Sequence, residues 1–363
     1  MTAPLRPDAF RHAPSRVEAR MVDGLPICLD AVADGGPASH AFLRHGWFAA
    51  AVEAYGGVPR TLVVRVDGDP ALALPMVPVG PRAFGLATVP GSYWPFRGYP
   101  LAYADDAVLG AALTALAREV RALRIGPAPD GDPSVAPLLE AARSRGWAVL
   151  DRLVGDGWLF RLGDAHAGGD WPRASTLKKN RFHEKHLGAH GALAWRFAGE
   201  DDWPAAFDRL AAVEEVSWLA SRTDGRDAKF TRQGHGAFWR VAARDPVLRG
   251  IMRAATLDID GRPAAFSFDL VSGDTCYAVA NSYDPAFAKH SPGKLLYTRN
   301  LQDLAARGVA LVDWGMGDSG YKRVIGAEPG PPLRDWLLVR PGVSATAARA
   351  FAGWWMRRRQ TRT

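Results

Sequence analysis

Two Asp-Gly steps, Asp67-Gly68 and Asp260-Gly261, each lie between short runs rich in apolar and β-branched residues. Such a step between two strand-like runs is a strong local sign of a hairpin, because both turn residues must accept positive φ. The first pair of runs is 61–66 and 71–78, and the second is 248–259 and 262–271, with a third strand predicted over 274–282. In the first half, apolar residues at helical spacing over 38–55 end at Gly56-Gly57, and helices over 107–123 and 135–146 alternate with strands over 124–126 and 147–153. In the second half, predicted helices over 176–188, 203–220 and 235–245 precede the hairpin, and a helix over 293–307 and a strand over 309–314 follow it. The two halves look loosely alike, which reads as a duplication. The expected class is α/β of the mixed α+β kind: two lobes, each a central, mainly antiparallel mixed sheet flanked by helices.

The length, 363 residues, suits two domains at about 150 residues each. The predicted division is a flexible arm over 1–25, a first lobe over 26–165, a second lobe over 166–340 and a basic amphipathic tail over 341–363, with the Gly/Asp/His-rich stretch 163–172 as linker. No apolar run approaches the roughly 18 residues of a membrane span. Met1 to Arg20 has no apolar core of a secretory signal. Cys28 and Cys276 belong to no metal or redox spacing, so neither a disulfide framework nor a zinc site is expected, and a reducing cytosol fits. Charge is uneven: residues 1–165 carry a net −1 and residues 166–363 a net +8. The second half therefore favours an anionic partner such as a phosphate-bearing cofactor, an RNA or an acidic membrane surface.

Four stretches could carry chemistry. In 277–322 a strand leads through a loop to Ser291-Pro292-Gly293-Lys294 and a helix. Ser291 suits the N-cap, Pro292 the first turn, and Gly293 close approach of a ligand; with Lys294 the helix start suits a phosphate or pyrophosphate. An ordinary capped helix has the same pattern. The loop 313–323, DWGMGDSGYKR, follows a strand. There Tyr321 could give a proton to a leaving group, Asp313 or Asp318 could orient or deprotonate an amine, and Lys322 could pair with a phosphate or carboxylate. A Gly-rich turn with solvated charges explains it as well. The basic helix STLKKNRFHEKHLGAH, with Lys178 and Arg181, could contact an anion, although a solvated face is the commoner case, and its histidines lack zinc-binding spacing. Glu214, Glu215 and Trp218 close a helix where paired carboxylates could bind an amine, and the aromatic run YWPFRGY (93–99) could line an acceptor groove or simply pack. No G-x-S-x-G elbow, phosphate-binding P-loop or G-x-G-x-x-G follows a strand, which weighs against serine hydrolases, P-loop NTPases and dinucleotide oxidoreductases.

Taken in order, KKNRFHEKHLGAHG, DIDGRPAAFSFDL, ANSYDPAFAKHSPGKLLYTRNLQDLAARG and VDWGMGDSGYKR resemble the GNAT-superfamily acetyltransferase domain of the CelD type, similar to the FemAB aminoacyltransferases. The match is strongest over 170–325, and RTLVVRVDGDPALALPMV is similar to the hairpin that opens the first lobe of such proteins. The resemblance implies two GNAT-like lobes and transfer of an acyl group from a thioester, acetyl-CoA or another acyl-CoA, to an amine, with no metal. It places the donor pyrophosphate at Ser291, Pro292, Gly293 and Lys294. The usual [QR]-x-x-G-x-[GA] loop is replaced here by KHSPG (289–293), which leaves open acyl carrier protein or aminoacyl-tRNA as donor.

The expected mechanism is direct attack by a neutral amine. Asp318 or Asp313 binds or deprotonates the amine, Tyr321 protonates the thiolate, and main-chain amides near Val279 to Asn281 polarise the carbonyl. Glu215, Trp218, Tyr283, Lys178 and Arg181 are the candidates for acceptor binding. The expected partners are the acyl donor and a small-molecule or glycan acceptor, such as a cell-envelope or exopolysaccharide precursor, and not DNA. The competing readings are a FemAB-like aminoacyl-tRNA-dependent transferase and a non-catalytic module of a polysaccharide synthesis assembly. The expected location is cytoplasmic, with the basic tail as a candidate contact to the inner face of the membrane.

Overall fold

The computed structural model of the chain describes residues 16–169, 171–198, 202–217, 225–317, 320–350 and 353. Asp318, Trp218 and the tail segment 354–363 lie outside them. The first half runs β1 (Val17–Asp23), α1 (Cys28–Asp34), α2 (His45–Tyr55), β2 (Arg60–Val66), β3 (Asp69–Pro78), β4 (Leu86–Thr88), α3 (Asp106–Glu119), β5 (Ala122–Pro129), α4 (Val135–Ser144) and β6 (Ala148–Phe160). The second half begins with α5 (Leu162–Ala167), α6 (Ala174–Leu187), β7 (Leu193–Phe197), α7 (Trp203–Val216), α8 (Gly236–Ala242) and α9 (Pro246–Ile251). It continues with β8 (Met252–Ile259), β9 (Arg262–Ser272), β10 (Thr275–Tyr283), α10 (Pro292–Ala306), β11 (Leu311–Met316), α11 (Tyr321–Val324), β12 (Glu328–Val339) and α12 (Val343–Ala350).

Both predicted Asp-Gly hairpins form. Val66 pairs with Asp69 across Asp67 (φ 52°) and Gly68 (φ 98°), and Ile259 pairs with Arg262 across Asp260 (φ 47°) and Gly261 (φ 79°). Positive φ at both central residues matches the right-handed twist of the strands and fixes their register. β1 was not foreseen: residues 17–23, read as part of an arm, pair antiparallel with β2 along its length. The stretch read as a linker also holds α5.

All twelve strands form one sheet in the order β1-β2-β3-β4-β5-β12-β6-β11-β10-β9-β8-β7. The sequence division at residue 340 groups β12 with the second lobe, yet β12 lies antiparallel between β5 and β6 of the first. β6 in turn pairs antiparallel with β11 of the second half. The chain end therefore completes the first lobe's sheet. Close packing at this seam excludes side chains: a Cβ on Gly157 would lie 2.4 Å from the Pro331 carbonyl oxygen.

A buried ionic group fixes β12. Asp335, with no exposed side-chain surface, accepts from Arg124 of β5 at 3.0 and 2.6 Å and from Arg152 of β6 at 3.1 and 2.6 Å. Around it a single apolar core spans both halves. Trp47 of α2 meets Phe238 and Trp239 of α8 at 4.8 and 5.9 Å between ring centres, and Phe42 meets Tyr277 of β10 at 5.7 Å. Within β9 the two-residue period of a strand separates the faces. Phe266, Phe268 and Leu270 share a core with Phe207, Leu210 and Val213 of α7. Ser267 and Asp269 face Asn300 of α10.

Asp335→Ala removes the buried carboxylate that Arg124 and Arg152 share and is expected to cost about 3–5 kcal/mol. Because the core is shared, both halves should unfold in one transition. Urea denaturation followed by tryptophan fluorescence and by far-ultraviolet circular dichroism checks both points, and two separated transitions would contradict the shared core.

Candidate active site

The centre of the second half is the place where two adjacent strands part. β10 and β11 run parallel for three pairs, Thr275–Leu311, Cys276–Val312 and Tyr277–Asp313. Immediately after, the pairing of β10 with β9 skips Val279, a bulge that leaves one residue outside the ladder and bends the strand. β11 loses regular register with β6 between Asp313 and Met316. A cavity of about 200 Å³ opens there. Tyr277, Ala278 and Val279 form one wall and Asp313 to Met316 another; Leu333, the Tyr93-Trp94-Pro95 loop of the first half, and Lys229 close it.

Asp313 is half-buried, and its Oδ1 accepts the Gly315 amide at 2.7 Å. Burial raises its pKa, while the Gly315 N–H and the Lys322 charge act the other way. Tyr321 begins α11 between the rings of Tyr297 and Trp314, at 6.4 and 6.0 Å, and its hydroxyl accepts from Asn281 Nδ2 at 3.4 Å. Of the sequence candidates, Asn281 and Tyr321 meet directly, while Asp313 lines the cavity. Lys322 was expected to pair with a phosphate or carboxylate; in the structure it contacts main-chain carbonyls. Its side chain is buried, and Nζ donates to the carbonyls of Trp314, Gly315 and Met316 at 2.6, 3.2 and 3.0 Å. Three N–H groups on three carbonyls hold the end of β11 in shape and leave no proton for a ligand.

The start of α10 lies just beyond β10. A 3-10 turn over Pro285–His290, capped by Asp284, leads to Ser291 in the left-handed region (φ 50°). Ser291 occupies the N-cap position as expected, but its hydroxyl caps nothing, because the left-handed backbone supplies the turn instead. No side chain therefore caps the first turn, where Gly293 and Lys294 carry amides and Pro292 has none. Gly293 was expected to admit a ligand at its α-carbon. The ring of Tyr283 takes that side, since a Cβ would lie 3.2 Å from it.

Histidines and lysines flank this helix start, and burial together with neighbouring His and Lys lowers the pKa of His290. His290 stands 6.0 Å from His186 and 5.2 Å from His190, ring centre to ring centre. His183 has a buried Nδ1 without a partner, and its pKa is lowered by burial and by the charges of Lys294, His186 and Lys179. Among the described residues no group of three or more His, Cys, Asp or Glu is arranged to hold a metal. An uncapped helix start with lysines and histidines can hold a phosphate.

The other candidates are scattered. Lys178 and Arg181 are exposed on α6, and Arg181 lines a separate groove between α6 and α10. Glu215 is exposed at the end of α7. Its neighbour Glu214 turns inward and accepts the amides of Lys229 and Phe230, each at 2.8 Å. Two residues of the cavity wall gave a weak signal or none in the sequence. Trp94 sat in an aromatic run with a packing explanation, and Lys229 sat in a charged loop.

With the geometry in place, comparison with known proteins gives the class. Residues 174–323 match the family model described as an acetyltransferase (GNAT) domain. That segment is an acyltransferase domain of the GNAT kind, and the whole chain shares the two-lobed fold of FemX and L-PGS. A crystal structure of FemX aligns with 89% of this chain and 97% of its own, at 11% identity and a TM-score of 0.58. L-PGS from Bacillus licheniformis aligns over 93% and 99%, at 14% identity and a TM-score of 0.54. The C-terminal domain of a putative lysylphosphatidylglycerol synthetase from Agrobacterium fabrum aligns over 90% and 95%, at 14% identity and a TM-score of 0.51. No curated protein matches the sequence. No helix among the described residues is long and apolar enough to cross a membrane.

Beneath α10, Asp269 accepts from Asn300 Nδ2 at 2.7 Å and from Ser267 at 3.1 Å. Burial lifts its pKa from 3.8 to about 6. A raised acid contributes stability that is full below about 3.8 and lost as pH rises through about 6. Relative to the natural protein, Asp269→Asn should therefore become more stable between pH 4 and pH 7, by on the order of 3 kcal/mol. Urea midpoints of both proteins at the two pH values measure this, and a gap independent of pH would show that Asp269 titrates as it does in the unfolded chain.

Proposed function

We propose that this chain is an N-acyltransferase that takes an acyl group from acyl-CoA and passes it to an amine by direct attack. The observation that carries this reading is the continuity of the site. One segment runs from the bulge at Val279 through Asn281 to the uncapped start of α10; Asp313 lines the cavity beside the bulge, and Tyr321 meets the segment at Asn281. The phosphates of the donor would rest on the amides of Gly293 and Lys294, with Lys289 and His290 beside them. The donor supplies an activated thioester carbonyl. Main chain at the bulge, lacking a ladder partner, would polarise that carbonyl.

Asp313 is placed to hold the amine. One oxygen is tied to Gly315, the other is left for an N–H, and burial favours proton uptake. As the C–N bond forms and the C–S bond breaks, the amine proton passes to Asp313 and the Tyr321 hydroxyl gives its proton to the sulfur. Exchange with water restores both groups. Asp318 remains a second candidate for the amine. Small-molecule, sugar and cell-envelope precursor amines are the acceptor classes, in a cytoplasmic setting.

Isothermal titration with acetyl-CoA, with CoA as control, tests the donor. Lys294→Glu is expected to weaken binding about tenfold, the scale of losing one charge-assisted contact. Tyr321→Phe should leave donor binding unchanged and lower kcat about a hundredfold, the usual scale of a positioned general acid. A flat titration would move the donor to acyl carrier protein or aminoacyl-tRNA. Unchanged turnover in Tyr321→Phe would remove that residue from the chemistry.

A further inference from the structure

Lys229 stands at the wall of the cavity, where burial lowers its pKa and the nearby charges of Glu214 and Asp227 act the other way. Its ammonium lies 4.2 Å from the centre of the Trp94 ring and donates to the Asp227 main-chain carbonyl at 2.9 Å. No described carboxylate lies within ion-pair distance of it. The nearby Glu214 spends one oxygen on the amide of Lys229 and the other on the amide of Phe230. His235, edge-on to Trp94 at 4.3 Å and hydrogen-bonded to the Tyr55 hydroxyl at 2.9 Å, has its pKa lowered to about 4 by burial and by Lys229, so it adds no charge near neutral pH. Among the described residues one carbonyl and one ring meet this amine and no carboxylate touches it, so its remaining N–H groups are available to an anion in the cavity.

The opposite wall carries Asp313 with one oxygen uncommitted. Lys229 and Asp313 thus bring opposite charges to one cavity of about 200 Å³, below the roughly 300–1,000 Å³ of pockets for drug-sized ligands. Trp94, Met316 and Leu333 supply apolar surface between them. A small molecule with an amine at one end and an anion at the other satisfies both walls at once. A neutral amine or a large glycan leaves Lys229 unmatched or does not fit.

We propose that the acceptor is an amino carboxylate, an amino-acid-class molecule whose carboxylate seats on Lys229 while its amine meets Asp313. This rests on the acyltransferase reading and adds the class of acceptor and the residue that selects it.

The test compares the protein amino acids and simple β- and γ-amino carboxylates with their primary amides, which keep the amine and lose the anion. Binding is read as the ligand-induced shift in melting temperature, and turnover as thiol release from acetyl-CoA. For at least one member the acid should bind and react about ten- to a hundredfold better than its amide, the scale of a charge-assisted hydrogen bond. Lys229→Met should bring that ratio near one, and Lys229→Arg should keep a preference for the acid. Titration of Lys229→Met with acetyl-CoA should match the natural protein. Equal binding of acids and amides, no binding of any acid, or an unchanged ratio in Lys229→Met would overturn the proposal. Acid binding that depends on Lys229, found with a flat acetyl-CoA titration, would uphold it and place the failure in the choice of donor.

Discussion

The carboxylate of Asp335 is the point on which the sheet depends. It lies fully buried between a guanidinium from β5 and another from β6, and it travels into that position on a strand from the far end of the chain. Without β12, β5 and β6 have no strand between them and two cations lose their counter-charge. The first half therefore cannot finish its sheet until the second half is present. The shared aromatic core around Trp47, Phe238 and Trp239 makes the same point on one face of the sheet. Pairings this distant in sequence are closed late, because loop entropy must be overcome before they contribute.

Joining the lobes also shapes the site. β6 continues past the first lobe to pair with β11, and that pairing becomes irregular where β11 must leave β10. Two strands that part inside a continuous sheet expose main chain in a place sheltered on both sides, which a loop at the surface would not provide. The Lys322 ammonium holds three carbonyls of the diverging strand. The first lobe contributes by covering the opening with Trp94 and its neighbours. Its role here is to wall the cavity, and the second lobe carries the groups suited to chemistry.

Much of this was legible in the sequence. The Asp-Gly turns carried their own φ requirement, so both hairpins and their register could be read directly. Alternation in AAFSFDL separated the two faces of β9. The proximity of Asn281 to Tyr321 and the place of Asp313 at a strand end follow from a strand that runs into a Gly-rich loop at the edge of the cavity. The helix start at Pro292 was also readable, although Ser291 supplies its turn by backbone conformation and not by a side-chain cap. The carbonyl contacts of Lys322 were not legible, because the same ammonium suits a phosphate, a carboxylate or a set of carbonyls, and burial depends on the fold. Glu215 was preferred to Glu214 on no local ground, since which of two adjacent helical residues turns inward depends on what packs there.

What the sequence determined by itself was local: the helices, the hairpins, the α/β class, and the candidates that share one strand–loop–helix segment. These follow from φ preferences and periodicities within a few residues of one another. The tertiary structure alone decided that β12 enters the first lobe, that Arg124 and Arg152 meet Asp335 across 211 and 183 positions of chain, and that Lys229 faces Asp313's cavity. The physical reason is that strand pairing and burial depend on distant partners. A residue's neighbours in sequence do not reveal which cavity its side chain will line.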